Sequence, residues 1–449
     1  MLWLFQNKVM KNKDFIFGVS ASAFQIEGDD GTQGRGQSVW DTFCEYPGTV
    51  YCDHNGKQGV DHYNRFKEDV SLMSELGVNA YRFSTSWPRI LPEGTGRINQ
   101  KGLDFYDRLI DELLSKGIEP VLTEYHWDLP EKLGEKGGFR NPDFSSWFEE
   151  YTTLLVKHYG DRVKKWITYN EPICAVHASY RAGVFAPGLK LNEDQSLSVL
   201  HNFVLGQGKA NRVITDVKDA EVSIAMSVWD VFPVDTSPES VENCRKVFFY
   251  KETPTESIDM YMDPIYLGKY PDRVKEDYPR FYERITDEDM KIIANSSNIL
   301  SVNNYVSRPL DKFGNEIAKG PESYRTAMGL IDPNGIYWAC KLLTERYKLP
   351  IYITENGTMS DDHISLDGKV HDNTRIDYLK RHLSKMEKIL ADGIDLRGYY
   401  VWSLMDNFEW LKGYSTRFGL VYVDYDDELK RIKKDSFYFY KDYIESFNK

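Results

Sequence analysis

Two glutamates close apolar, β-branched runs, and both runs break immediately after them. Trp166-Ile167-Thr168-Tyr169-Asn170 leads into Glu171, with Pro172 next; Pro350-Ile351-Tyr352-Ile353-Thr354 leads into Glu355, with Asn356-Gly357 next. Runs of this kind read as strands, and Pro or Asn-Gly ends them. A strand ending on a carboxylate delivers that side chain to the rim of a sheet. Two carboxylates held face to face are the minimum equipment for cleaving a glycosidic bond. Either run alone would serve equally well as an acid closing a turn, so the elements around them carry the argument.

Strand-like runs alternate with helical patterns from end to end. The strands are predicted at 15–19, 80–84, 120–125, 165–170, 222–227, 299–305, 350–354 and 398–404. Helical periodicity is predicted at 61–76, 102–116, 144–159 and 374–392. In 102–116 the apolar residues Leu103, Tyr106, Leu109, Ile110, Leu113 and Leu114 recur every three to four positions, and Gly117 stops the helix. Eight strands with intervening helices and no linker predict one α/β domain, a (β/α)8 TIM barrel over residues 1–449, with 1–13 as an N-terminal extension. An open doubly wound sheet would want a Gly-rich phosphate turn after its first strand. Ser20-Ala21-Ser22-Ala23-Phe24-Gln25-Ile26-Glu27-Gly28 is not one.

Barrel sites lie at the C-terminal strand ends. The longest non-periodic stretches, 27–60, 307–334 and 358–373, all follow strands. Glu171 and Glu355 end the fourth and seventh strands, three apart around the ring, and so face each other across the mouth. The same rim receives Gln25, Arg82, His126, Trp127, Asn170, Asn303, Tyr305, Trp402, Glu409 and Trp410. Amide, imidazole and carboxylate groups supply paired donors and acceptors for vicinal hydroxyls, and Trp gives a flat apolar face. Arg82 beside a carboxylate would keep it ionised. Singly, each has a plain structural reading as core or strand-end residue; ten on one rim do not.

Composition narrows the partners. Aromatic residues make up 14% of the chain, and the net charge is −13 with a pI near 5.3. A backbone-tracking nucleic-acid binder needs a basic surface, so neither nucleic acid nor an anionic membrane is expected. Cys44, Cys52, Cys174, Cys244 and Cys340 are odd in number and lack Cys-x-x-Cys spacing, which fits a reducing compartment rather than a disulfide framework or a structural zinc. The apolar residues Met1 to Phe5 precede the first lysine, the reverse of a secretory signal, so a cytoplasmic protein is expected. Self-association is left open.

The ordered motifs Phe15-Ile16-Phe17-Gly18, Gln25-Ile26-Glu27-Gly28, Tyr81-Arg82-Phe83-Ser84, Tyr125-His126-Trp127-Asp128-Leu129-Pro130, Asn170-Glu171-Pro172, Thr354-Glu355-Asn356-Gly357, Asn407-Phe408-Glu409-Trp410 and Phe418-Gly419-Leu420-Val421-Tyr422-Val423-Asp424 span the chain. Together they resemble family 1 glycoside hydrolases, retaining β-glycosidases of the β-glucosidase type. The resemblance implies Glu171 as general acid/base and Glu355 as nucleophile. It implies Gln25, His126, Trp127, Asn170, Glu409, Trp410 and Phe418 around the sugar, with Trp402 under the ring. Asn303 and Tyr305 would steer Glu355, with Arg82 as its charge partner. Retention would place the carboxyl groups about 5–5.5 Å apart. No cofactor or metal is implied, and the partner is a small β-glycoside, with β-galactosides and β-fucosides accepted alongside β-glucosides.

The chain also departs from this pattern and leaves alternatives open. Phospho-β-glycosidases of the same family carry Ser where Glu409 stands, with Lys and Tyr nearby; Lys412 and Tyr414 keep that reading open. Ile173 stands where the family usually places Trp as a wall of the aglycone site, a change expected to reshape leaving-group preference; Glu124 stands where an apolar residue is usual, as an extra acid in or under the pocket or as a buried and paired one. A catalytically inactive sugar-binding member would lack one of the two acids, and both are present. As metal ligands, Asp53-His54 and Asp61-His62 compete with plainer readings: a turn for the first and helix N-capping by Asp61 for the second.

Overall fold

Each strand run finds its neighbour in parallel, and the last returns to the first. A computed structural model describes residues 14–228 and 231–449; the N-terminal extension and its apolar patch lie outside the described residues. Strands Ile16–Ser20, Ala80–Ser84, Glu119–Tyr125, Lys165–Asn170, Glu221–Ser227, Leu300–Asn303, Ile351–Asn356 and Leu396–Trp402 form a closed barrel in that order. The first pairs with the eighth from Ile16 opposite Gly398 to Ser20 opposite Trp402. All eight expected strands are present, shifted by one or two residues at their ends.

Inside the N-terminal end of the barrel, Ile16, Ala80, Val121, Ile167, Ala225, Ile299, Tyr352 and Tyr400 form a separate buried plug. Gly18 belongs to this geometry. A Cβ there would lie 2.2 Å from the Tyr400 ring, so only glycine lets the ring cross the first strand. With one end plugged, open volume is left at the other, where the strands deliver their last residues.

Helices including His62–Leu76, Gln100–Ser115, Phe144–Tyr159, Glu193–Ile214, Asn334–Tyr347 and Asn373–Ala391 pack outside. Their buried faces repeat at helical spacing, as with Leu103, Tyr106, Leu109, Ile110 and Leu113 of Gln100–Ser115. Asp61 occupies the N-cap position of His62–Leu76, but its carboxylate makes no cap bond to the backbone. It accepts from Asn64 Nδ2 at 2.6 Å instead, because its own left-handed φ of 57° turns the side chain away.

Three expectations need correcting. The sixth strand ends at Asn303, so Tyr305 stands in the loop beyond it. Residues 27–60 contain a helix, Val39–Cys44, fixed by a reciprocal Ser38–Asp41 capping box. Residues 307–334 hold short strands: Arg308–Leu310 pairs with Val231–Pro233, and Tyr324–Thr326 pairs with Gly329–Ile331. Three-residue strands span too little sequence to show a period.

Glu124 is neither in nor under the pocket. Thr123 turns inward, where its hydroxyl accepts from Arg82 Nε at 3.1 Å, and the next side chain must turn outward. There Glu124 accepts one hydrogen bond, from Thr152 Oγ1 of helix Phe144–Tyr159 at 2.5 Å, while its Oε1 has no partner. Burial pushes this carboxyl up to about 8 from an ordinary value of 4.5. The folded chain therefore holds a proton that the unfolded chain releases, and stability falls as pH rises from about 4.5 to about 8. Glu124→Gln, neutral throughout, is expected to remove this slope and stabilise the protein at pH 8 by roughly 2–4 kcal/mol relative to pH 5. Calorimetric Tm values for both proteins at the two pH values read this directly; parallel losses would acquit Glu124.

Candidate active site

The strands carrying the two acids both lose register just before them. Pairing of Lys165–Asn170 with the fifth strand shifts between Ile167 and Asn170, and pairing of Ile351–Asn356 with the sixth shifts between Ile353 and Glu355. Such irregularities re-aim side chains at a sheet rim. Glu171 itself has a φ of 48°, left-handed for a non-glycine residue, and its amide is held by Ala225 O at 2.8 Å. Strain of this kind at a strand end persists only where the surroundings over-determine it.

Both carboxylates are buried but differently partnered. Glu355 Oε1 pairs with the Arg82 guanidinium, and Oε2 accepts from the Tyr305 hydroxyl at 2.6 Å. Glu171 Oε1 accepts from Asn303 Nδ2 at 3.0 Å, and Oε2 from the Cys174 thiol at 3.1 Å. Burial raises the pKa of both. For Glu171 the nearby Glu355 charge adds to burial, and the group is pushed up to about 7. For Glu355, Arg82 and then Tyr305 oppose burial. The two buried acids are thus treated oppositely by their neighbours, a like charge acting on Glu171 and a guanidinium and a hydroxyl on Glu355.

Arg82 also donates to Asn170 Oδ1 at 2.6 Å, and Asn303 Nδ2 donates to the same oxygen at 3.0 Å. With that oxygen occupied, Asn170 Nδ2 must face His126 Nε2, 3.0 Å away. The network thereby assigns the imidazole proton to Nδ1, which has no partner among the described residues. Burial and the Arg82 charge hold His126 well below its usual pKa, so the ring is neutral. Above these groups opens a cavity of about 430 Å³, lined in part by both glutamates, His126, Asn170, Trp402, Glu409 and Trp410.

Comparison with known proteins agrees with this geometry. The model of glycosyl hydrolase family 1 matches residues 8–449. The chain belongs to that family. It is 44% identical to β-glucosidase A of Thermotoga maritima, over 96% of this chain and 97% of the relative. It is also 39% identical to the aryl-phospho-β-D-glucosidase BglC of Bacillus subtilis, over 97% of each chain. The structure of the Thermotoga maritima β-glucosidase with glucoimidazole superposes with a TM-score of 0.87 at 42% identity, covering 97% of this chain and 98% of that one.

Of the remaining residues named from sequence, Trp127, Tyr305 and Phe418 also line this cavity, and Gln25 is buried against Glu409. Gln25 Nε2 donates to Asn407 Oδ1, to Phe408 O and, at 3.3 Å, to Glu409 Oε2, while Ser22 Oγ donates to its Oε1. Trp410 packs on Trp127 at 4.5 Å between ring centroids, and Trp127 Nε1 donates to Asn170 O. Trp402 stacks on His126 at 5.8 Å, and Phe418 meets the Tyr305 ring edge-on. Glu409 is pushed up to about 8 by burial and then by the charges of Glu355 and Glu171.

Two further placements bear on the pocket. Asn303 borders both acids: its Nδ2 donates to Asn170 and Glu171, its Oδ1 accepts from Thr354 Oγ1, and its side chain also helps hold the Glu355 carboxyl down against burial. Ile173 does not line the cavity; it packs half-buried on the core at the start of the turn after Glu171. Cys174, one residue on, faces the pocket and was missed as a site residue. The signal was its position three residues after Glu171 on a helical turn, the separation at which side chains meet.

The loops after the seventh and eighth strands are pinned by a buried charge cluster. Lys434 bridges Asp362 at 2.5 Å and Asp406 at 2.7 Å. Arg375 joins Asp362 and Asp372, and Arg417 joins Asp406 at 2.7 Å. Three acids thus meet three bases, so no charge is left uncompensated, and the segments presenting Met359 and Phe418 are fixed.

Proposed function

We propose that this family 1 protein is a retaining β-glucosidase that removes terminal non-reducing β-D-glucosyl residues, with Glu171 as acid/base and Glu355 as nucleophile. The observation that carries the reading is the unequal partnering of the two buried acids. Protonated Glu171 donates to the glycosidic oxygen as Glu355, held ionised by Arg82, attacks the anomeric carbon. Water then attacks the glycosyl-enzyme, returning a proton to Glu171 and releasing Glu355. Two displacements on opposite faces leave the β configuration. Proton NMR of early product from a nitrophenyl β-glucoside tests this: β-glucose first supports it, and α-glucose first overturns it.

Gln25 and Glu409 would hold the glycone hydroxyls farthest from the leaving group, in a pocket that accepts β-galactosides and β-fucosides as well. All five cysteines are free thiols, which suits the cytoplasm. Among the described residues no helix is long and apolar enough to cross a membrane. Single-domain organisation and a role in degrading cellulose-derived oligosaccharides belong to the same proposal.

The phosphorylated-substrate reading weakens at Tyr414. Its hydroxyl is turned to the 55–59 loop, donating to Asn55 O and accepting from Gly59 N, both at 3.0 Å. Lys412 alone reaches the cavity wall, while Glu409 faces inward. A nitrophenyl β-glucoside is therefore expected to exceed its 6-phosphate in kcat/KM by about 100-fold, since a dianion desolvated against an acid lacks compensation. Glu409→Ser should narrow that ratio while weakening the free glucoside. A wild type that already prefers the phosphate would refute this assignment and leave the carboxylate pair intact.

A further inference from the structure

Both oxygens of Glu171 are held by donors, and the two donors differ in kind. Asn303 Nδ2 serves Oε1 at 3.0 Å and Asn170 Oδ1 at the same distance, while Asn303 Oδ1 accepts from Thr354 Oγ1. With its oxygen committed, this amide can only donate to Glu171. The thiol of Cys174 serves Oε2 at 3.1 Å. It stands three residues on, where Glu171 O accepts from Ala175 N at 3.0 Å at the start of the helical segment Cys174–Arg181. The fifth strand braces both groups: Ala225 O accepts from the Glu171 amide, and two residues on, Ser227 hydrogen-bonds the Cys174 sulfur. Burial and then the Glu171 charge hold the thiol well above its ordinary pKa, so it keeps its proton.

We infer that Cys174 is a positioning residue that confines the acid proton of Glu171 to Oε2 and balances its acid form against its base form. The inference rests on the acid/base reading above and deepens it. A proton on Oε1 would meet the N–H of Asn303, so it must sit on Oε2. A thiol serves both states there, because sulfur is a weak donor and a weak acceptor. Facing the carboxylate, the S–H donates to Oε2 and Ser227 donates to the sulfur. Once Oε2 carries the proton, the S–H turns to Ser227 Oγ, and the Oε2 proton is free to reach a glycosidic oxygen. A donor to the ionised form lowers a carboxyl pKa, so the thiol joins Asn303 and Arg82 against burial and the Glu355 charge. The other titratable groups around the cavity, Glu355, Arg82, Tyr305, His126, Glu409 and Lys412, stand on other elements and are unaltered by a change at Cys174.

The test compares the pH profiles of Cys174→Val, an apolar side chain without a donor, and Cys174→Ser, which keeps both donor and acceptor. Without the donor, Glu171 binds its proton more tightly. The alkaline limb of kcat/KM on hexyl β-glucoside is therefore expected about 0.5–1 pH unit higher in Cys174→Val than in the wild type, and at or below the wild-type position in Cys174→Ser. With dinitrophenyl β-glucoside, whose leaving group needs no proton, kcat reads the second step, and its acid limb should also move to higher pH in Cys174→Val. A side chain that merely filled space would change rates without moving either limb. In the wild type the S–H stretching band of Cys174, recognised as the one missing from Cys174→Ser, should rise in frequency as Glu171 takes up its proton, because a hydroxyl is a weaker acceptor than a carboxylate. Limbs that coincide in the wild type and Cys174→Val, or that move equally in both variants, overturn the inference. So does a stretching band indifferent to pH, which is read even if Cys174→Val fails to fold. An alkaline limb that survives in Glu171→Gln would instead sink the underlying acid/base reading.

Discussion

Glu355→Gly is expected to lower kcat on nitrophenyl β-glucoside by about five orders of magnitude, because no other group in the cavity can form the glycosyl-enzyme. Arg82 and Tyr305 both donate to this carboxylate, so its removal leaves a space facing a guanidinium, well suited to a small anion. Added azide should therefore enter that space and attack the anomeric carbon from the nucleophile's side. The single displacement would give the α-glucosyl azide, a product the wild type does not make. Two readouts separate loss of chemistry from loss of fold: rate falls by orders of magnitude, and azide restores part of it with inverted configuration. Near-normal activity in the variant would mean that Glu355 is not the nucleophile.

For Glu171→Gln the expected loss depends on the leaving group. An alkoxide cannot depart unprotonated, so hexyl β-glucoside should lose roughly 10³–10⁴-fold in kcat/KM. Dinitrophenolate needs no proton, so the first turnover of dinitrophenyl β-glucoside should remain fast. The second step, which needs Glu171 as base, should then limit the rate and produce a burst of dinitrophenolate. The amide conserves the acceptor for Asn303, so geometry is retained. In the wild type, kcat/KM for hexyl β-glucoside should fall above about pH 7 as Glu171 loses its proton, and the variant should lack that limb. Equal losses on both substrates would remove Glu171 from the acid/base role.

Much of this site is legible in the chain because barrel chemistry sits at strand ends, where strand signals are strongest. The runs 165–170 and 350–354 end on their acids in sequence and in space. Around the ring Gln25, Arg82, His126 and Trp402 are placed by the same rule, one strand each. What resisted reading was direction rather than position. Asn303 borders two carboxylates, and nothing in its neighbours tells which one its amide meets. Tyr305 reaches Glu355 from a loop, where side-chain alternation no longer applies. Glu124 was open between pocket and burial, and strict alternation decides it: Thr123 points at Arg82, so the next residue turns outward into the helix layer. Met328 resisted for another reason: it stands on a hairpin of two three-residue strands, too short to leave a pattern, and its packing on the Tyr305–Trp402–Phe418 cluster is decided between distant loops.

The hydrogen bond from Gln25 to Glu409 joins residues 384 positions apart, and the first strand can close the barrel only against Leu396–Trp402. During synthesis on the ribosome, a nascent chain that stops short of Leu396 has both buried acids but no ring to hold them and no completed pocket. The Lys434 ammonium, which neutralises Asp362 and Asp406, arrives later still. Folding of the earlier strands thus proceeds with an exposed barrel seam, a span in which unpaired edges are open to misassembly. Activity should switch on in one late step, once Leu396–Trp402 and Glu409 are available, rather than grow with chain length.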